Sequence, residues 1–220
     1  MKEFILANLT AIAFCAAAVA ETAHEEGDPW CDDLEFGEAG AVSCALPYGE
    51  DQVIFFAYEG DKFEATLIVT QHNVSGGLLD TSDPIYVSGV QGPPETRDIN
   101  EDGVAELFIP LTTGNVNTEF AIWEIDSDGI YAPRGTFSDG AYAAEALTIE
   151  DGLLVTSARE NAAVYSETAH LLTSHGLTVI YSMTVDYSTK SCAFSSTDGI
   201  VARGLDENAL MAKCLNRQWE

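Results

Sequence analysis

The chain has 220 residues, with 9 Lys or Arg against 36 Asp or Glu, and a net charge of −27. That much negative charge repels phosphate backbones and anionic lipid, which argues against nucleic acid and membrane surfaces as partners. It favours cations and basic proteins, and it also serves solubility in a salty medium.

Met1 to Phe4 is a short charged start, and Ile5 to Val19 is an apolar run broken only by Asn8 and Thr10. Ala18, Val19 and Ala20 then offer a small-x-small cleavage site before Glu21. This pattern predicts a secretory signal peptide over residues 1–20, cut near Ala20-Glu21, and a periplasmic or secreted product. The run is too short to span a bilayer, and no later segment is longer, so no membrane insertion is expected. Phe14 stands before Cys15 where lipidation needs a small residue. Cleavage removes Lys2 and Glu3 together, so the net charge stays at −27.

Cys31, Cys44, Cys192 and Cys214 remain. An even number in an exported chain predicts disulfides. Cys31–Cys44 and Cys192–Cys214 are the favoured pairs, because each closes a short loop near one end of the chain. Residues 21–29 read as a flexible acidic lead-in. Residues 30–220 read as a single all-β domain, since the length suits one good core.

Val53–Tyr58 and Phe63–Thr70 are predicted strands joined by a hairpin over Glu59–Lys62. His72–Gly77 reads as a loop, Ile85–Ser88 as a short strand, and Gly92-Pro-Pro94 as a chain break. The strand Leu107–Leu111 follows, then a loop through Asn115 and the strand Glu119–Ile125. In that strand Phe120, Ile122 and Glu124 share one face, with Ala121, Trp123 and Ile125 on the other. Trp123 is expected in the core. Asp126–Gly129 is a turn into Ile130 and Tyr131, and Tyr131 and Tyr142 are candidate exposed contact residues. Ala141–Leu147 reads as one helical turn. Leu153–Ala158, Ala163–Leu172 and Leu177–Tyr187 are strands with hairpin-length connections. Asp198-Gly199 reads as a hairpin turn, and Asp206 as the cap of a last helix, Glu207–Leu215. His170 and His175 are expected at the surface or in loops. Trp30 and Trp219 are expected near the disulfides. The sum is an antiparallel all-β fold, a propeller-like or sandwich-like array of hairpins with little helix.

Asp98 to Glu106, reading DINEDGVAE, is the stretch with chemistry in it. Calcium takes six to eight oxygen ligands, and a tight loop supplies them from alternate positions. Asp98, Asn100 and Asp102 would give side-chain oxygens, Val104 its carbonyl, and Glu106 a direct or water-bridged oxygen. Gly103 permits the sharp turn that aims them at one point. Position twelve of the loop is Ile109, so the helical calcium hand is ruled out, and the apolar Leu107–Leu111 makes this a loop that opens a strand. The same residues also suit a plain solvated turn.

With its following strand, this loop resembles the calcium loop of FG-GAP repeats, the units of integrin-type propellers. The loop and strand, Asn115 to Asn117, Phe120 to Asp126 and Gly129 to Tyr131 resemble small exported bacterial proteins with a single such loop. That class includes periplasmic inhibitors of peptidoglycan-degrading toxins. The likeness covers about residues 85 to 187. It implies a calcium-binding, non-catalytic module that binds a basic protein, such as a peptidoglycan-degrading enzyme. The alternative is a secreted carboxylate-dependent hydrolase of glycan or peptide. No Gly-x-Ser-x-Gly elbow and no phosphate-cradling loop is present, and nothing in the sequence selects a catalytic pair.

Overall fold

The computed structural model describes residues 28–34, 42–49, 51–61, 63–89 and 92–216. The predicted signal peptide and its cleavage point, the lead-in as far as residue 27, and Trp219 lie outside the described residues. The chain falls into two compact units, Met1–Pro94 and Glu95–Glu220, where one domain over 30–220 is the expectation from sequence. The division falls at the Gly92-Pro-Pro94 break.

In the first unit β1 (Cys44–Tyr48), β2 (Gln52–Gly60), β3 (Glu64–Asn73) and β5 (Ile85–Ser88) pair in that order, all antiparallel. Strand β4 (Leu78–Thr81) pairs with the far end of β3. The predicted hairpin is β2–β3, and the Asp61 carboxylate closes it by accepting the Phe63 and Glu64 N–H groups. The predicted loop at His72 begins two residues late, because β3 runs on to Asn73. The Cys31–Cys44 disulfide ties a 3₁₀ turn at Cys31–Asp33 to β1, and Trp30 bridges Ala45 beside it.

The second unit has two sheets and a helix. Its first sheet contains β6 (Glu95–Arg97), β7 (Glu106–Thr113), β8 (Thr118–Ile125) and β9 (Tyr131–Asp139). Its second runs in sequence order through β10 (Thr148–Glu150), β11 (Leu153–Arg159), β12 (Val164–Thr173), β13 (Gly176–Asp186) and β14 (Ser191–Ser196). Phe108, Phe120, Ile122 and Phe137 of the first sheet pack with Leu154 and Leu172 of the second. Phe137 stacks on Phe120 at 5.5 Å and meets Phe108 edge-on at 6.1 Å, the geometry that aromatic quadrupoles favour. Trp123 is buried, as its strand position predicts. The fold is thus all-β and antiparallel, and this unit is a sandwich. The opposite face of the second sheet is covered by the turn and helix that follow β14, helix α1 (Glu207–Leu215). Asp206 caps α1 by accepting the Asn208 and Ala209 N–H groups. Among the described residues no helix is long and apolar enough to cross a membrane.

The sheets are joined through side chains that imitate a strand. Asn117 donates to the Arg159 carbonyl at 2.9 Å and accepts the Arg159 N–H at 2.7 Å. Asp139 accepts the Ser157 N–H at 2.6 Å, and Gly140 N–H donates to the Ser157 carbonyl at 3.0 Å. The outer edge of β11 is thereby closed by the β7–β8 turn and the end of β9. At another corner the Arg97 guanidinium donates to the carbonyls of Ala144, Glu145 and Leu147. That clasp holds the 3₁₀ turn Ala144–Ala146, which is the helical turn expected over 141–147.

Some expectations are corrected. Tyr131 is 1% exposed rather than a surface contact, since β9 starts at it and its hydroxyl donates to the Ala105 carbonyl at 2.7 Å. His170 is buried, because its strand partner Leu154 is a core residue and the pleat turns both toward the first sheet. Its Nε2 lies 3.3 Å from Thr156 Oγ1, and its ring faces Phe137. His175 is exposed in the β12–β13 turn. Among the described residues no strand follows Asp198-Gly199, so this is no hairpin. Gly199 N–H instead donates to the Ile180 carbonyl at 2.9 Å, at an approach so close that a Cβ would lie 2.7 Å from Ile180 Cα. The strands β1, β4, β6, β10 and β14 are short, three to six residues each, which is too short a run for alternation to mark them in the sequence.

Two outcomes are expected. Asn117→Ala strands the Arg159 N–H and carbonyl, so it should cost about 1–3 kcal/mol, read from urea midpoints at unchanged slope. A loss below about 0.5 kcal/mol would show that water replaces the amide. Burial lowers the His170 pKa from 6.5 to about 4. The unfolded chain therefore binds the extra proton first, and stability falls as pH drops from 6.5 toward 4. Comparing wild type with His170→Asn at pH 7 and pH 4.5 should remove about 2–3 kcal/mol of the acid-induced loss. An unchanged loss would refute this account.

Candidate metal centre

The loop from Asp98 leads into β7, and its shape is built by its own side chains. Gly103 N–H donates to Asp98 Oδ2 at 2.9 Å, and Asp102 N–H to Asn100 Oδ1 at 3.0 Å. Val104 N–H donates to Asp102 Oδ1 at 2.8 Å, and the Asn100 amide to Asp102 Oδ2 at 3.1 Å. Short carboxylates and amides fold a backbone this way because they reach N–H groups two residues on. Gly103 has φ +88° with open space where a Cβ would go, so glycine is needed there for conformation and not for room.

Glu106 is the first residue of β7 and is 1% exposed. Its Oε2 accepts the Ile99 N–H at 2.8 Å, which staples the start of the loop to the start of the strand. Leu107 pairs with Trp123, so one step further along the register Glu106 lies beside Glu124 of β8. Asp102, Glu106 and Glu124 form a group in which one carboxylate oxygen of each lies within 4.8 Å of the others. Glu124 is also held by Arg134, Nε to Oε2 at 2.8 Å. Asp98 Oδ1 is buried and has no hydrogen-bond partner.

Of the five predicted ligands, Asp102 and Glu106 are brought together. Asp98 and Asn100 are bound into the loop backbone beside them, and Val104 lies exposed at its tip. Glu124 is a carboxylate that sequence reasoning missed as a ligand. The signal for it was the alternation in β8, which places Glu124 on the same face as Phe120 and Ile122. A carboxylate continuing an apolar face needs a partner.

The electrostatics follow from crowding. Burial pushes the Glu106 carboxyl up to about 7, opposed by backbone N–H bonds and helped by the negative Asp102 and Asp98. A group raised in this way contributes stability below its unfolded pKa of 4.5, which is lost as pH rises through about 7. The donor set is entirely oxygen, with neither sulfur nor imidazole, and the trio could hold a metal ion of the hard class. The desolvated charge of Glu106 fits such an ion, since a cation would neutralise it; the partnerless buried oxygen of Asp98 belongs to the same loop but lies outside the trio.

No protein-family model matches this chain, and no curated protein matches it. Among solved structures, a Xanthomonas protein related to a type IV secretion system is similar to it, with a TM-score of 0.46 and 12% identity. The alignment covers 76% of this chain and 93% of that one.

Glu106→Gln keeps an acceptor for Ile99 N–H and removes the buried charge. In chelator at pH 8 it should be more stable than wild type by about 1–3 kcal/mol. A destabilised variant under those conditions would show that the charge itself is already compensated within the protein.

Proposed function

We propose that the chain is an exported, calcium-binding, non-catalytic module that binds a basic protein, in the manner of an inhibitor or immunity-type protein against a cell-wall-degrading enzyme. The observation that carries the calcium part is the convergence of Asp102, Glu106 and Glu124 at the end of the loop that also holds the partnerless, buried Asp98 Oδ1. Calcium suits this set better than magnesium, because it accepts many oxygens in an irregular shell whereas magnesium demands a tight octahedron. Asp98, Asn100, Asp102, the Val104 carbonyl and Glu106 are the proposed loop ligands, with Glu124 added from β8.

A catalytic use of the same carboxylates is the weaker reading, because Glu106 is 1% exposed and a glycan cannot reach it. Export is supported by the apolar start of the sequence and by two disulfides. The basic partner follows from charge. A chain at −27 speeds its encounter with a cationic protein and slows it with an anionic one. The likeness to FG-GAP loops and to periplasmic inhibitors of wall-degrading toxins supports the target class.

The test is a melting curve in calcium, in magnesium and in sodium at matched ionic strength. A ligand present at 100 times its dissociation constant adds about 2.7 kcal/mol of stability. Millimolar calcium should therefore raise the Tm, and magnesium should do so less. Asp98→Ala or Asp102→Ala should remove most of the calcium shift, and Asn100→Ala less of it. Identical curves in calcium and matched sodium would reduce the loop to an acidic turn. The partner is sought by pull-down from envelope extracts with and without calcium, followed by inhibition of a purified basic wall-degrading enzyme.

A further inference from the structure

The outer layer of the second unit is held by chemistry unlike the rest of its packing. One face of the β10–β14 sheet carries Ala169, Ile180, Tyr181, Met183 and Val185, all buried. The chain after β14 covers it in two pieces. Ile200 and Leu205, in the turn, pack near Ile180, and Gly199 N–H bonds the Ile180 carbonyl. Helix α1 then covers Met183 and Val185, flanked by Tyr165, Tyr187 and Phe194.

Among the described residues helix α1 buries little else, Leu210 and Met211 being its half-buried side chains. Of its nine residues only Cys214 is buried, and Cys214 is bonded to Cys192 of β14. Leu210 is half-buried against the neighbouring cluster, and Leu215 is 47% exposed. Lys213 pairs with Glu150 in an exposed ion pair, a kind of contact that water and salt leave weak. An isolated helix of this length is not stable in water, since nucleation is costly and few bonds reward it. The burial of the helix therefore depends on the residue that makes the covalent bond.

We infer that Cys192–Cys214 is a redox-governed latch: thiol–disulfide exchange with a dithiol opens it, and α1 then leaves the sheet. In the exchange the dithiol gives up two electrons and two protons and closes its own disulfide. The Cys192–Cys214 bond breaks, and each sulfur becomes a thiol. The Ile200 turn stays docked through its own contacts, while the Met183 and Val185 surface opens. The chain is thus open on this face in a reducing compartment and closed in an oxidising one. The latch stands apart from the proposed calcium centre and does not rest on it.

The test is hydrogen exchange on the full chain. Cys31→Ser/Cys44→Ser protein, with and without dithiothreitol, isolates the tail disulfide, and Cys192→Ser/Cys214→Ser protein gives the same comparison with the first disulfide intact. On loss of the tail disulfide, amides of residues 207–215 should exchange at least about tenfold faster, while those of β12 and β13 change by less than about twofold. Unchanged protection in the helix would overturn the latch. Equal loss in the helix and in β12 and β13 would overturn it too, because the bond would then hold the whole unit and not one element.

Discussion

Two sheets that share no strand still have to answer for every backbone group at their edges, and the second unit does this with side chains. Asn117 presents an amide to Arg159 as a neighbouring strand would present a peptide, one acceptor and one donor at the right spacing. Asp139 does half of the same task at Ser157, and Gly140 completes it. An open edge of that kind would invite pairing with another chain. Closing it also fixes where the end of β9 and the β7–β8 turn sit against β11. The Phe108–Phe120–Phe137 core can then interdigitate with Leu154 and Leu172 in one arrangement. Asp139 is buried for this role, and desolvation raises its pKa against the pull of two N–H donors.

The opposite ends of β7 and β8 carry the strain of charge. A buried carboxylate is tolerated where hydrogen bonds or a counter-charge meet it. Glu106 has the Ile99 N–H on one oxygen but faces Asp102 and Glu124, and Arg134 attends to Glu124 alone. The protein therefore stores unfavourable electrostatics in the segment where the loop becomes a strand. A cation is the simplest group that relieves it. The Tyr131 hydroxyl, bonded to the Ala105 carbonyl, makes the mouth of the loop and the start of β9 one rigid piece. Any ion bound there would act on three strands of the sheet and not on a loop alone.

The two disulfides do different work. Cys31–Cys44 joins buried residues at the first strand of its unit, where Trp30 also bridges Ala45. Cys192–Cys214 joins an edge strand to a helix whose remaining residues stay half-buried or exposed. The first is flanked by a main-chain hydrogen bond from Ala45 N–H to the Pro29 carbonyl at 3.0 Å, and the second is the inferred attachment of its helix.

The sequence by itself determined the elements whose signals are local. The β2–β3 hairpin, the strands of β7, β8 and β11 to β13, and the Asp206 cap all followed from periodicity and turn chemistry. Loop length favoured the two cysteine pairs that the structure contains, without deciding them. The Asp98–Glu106 loop was legible as an acidic turn with the spacing of a cation site. Tertiary structure decided what depends on partners distant in sequence. Glu124 became a member of the carboxylate trio through the β7–β8 register, which no local pattern states. His170 went inward because its cross-strand neighbour Leu154 is core, and Tyr131 because its hydroxyl found the Ala105 carbonyl 26 residues away. Strands such as β14 and β10 are too short for a local pattern to mark, and they form where a neighbouring edge offers them hydrogen bonds. Local propensity is written residue by residue, whereas burial and charge proximity are properties of pairs that only the folded chain brings together.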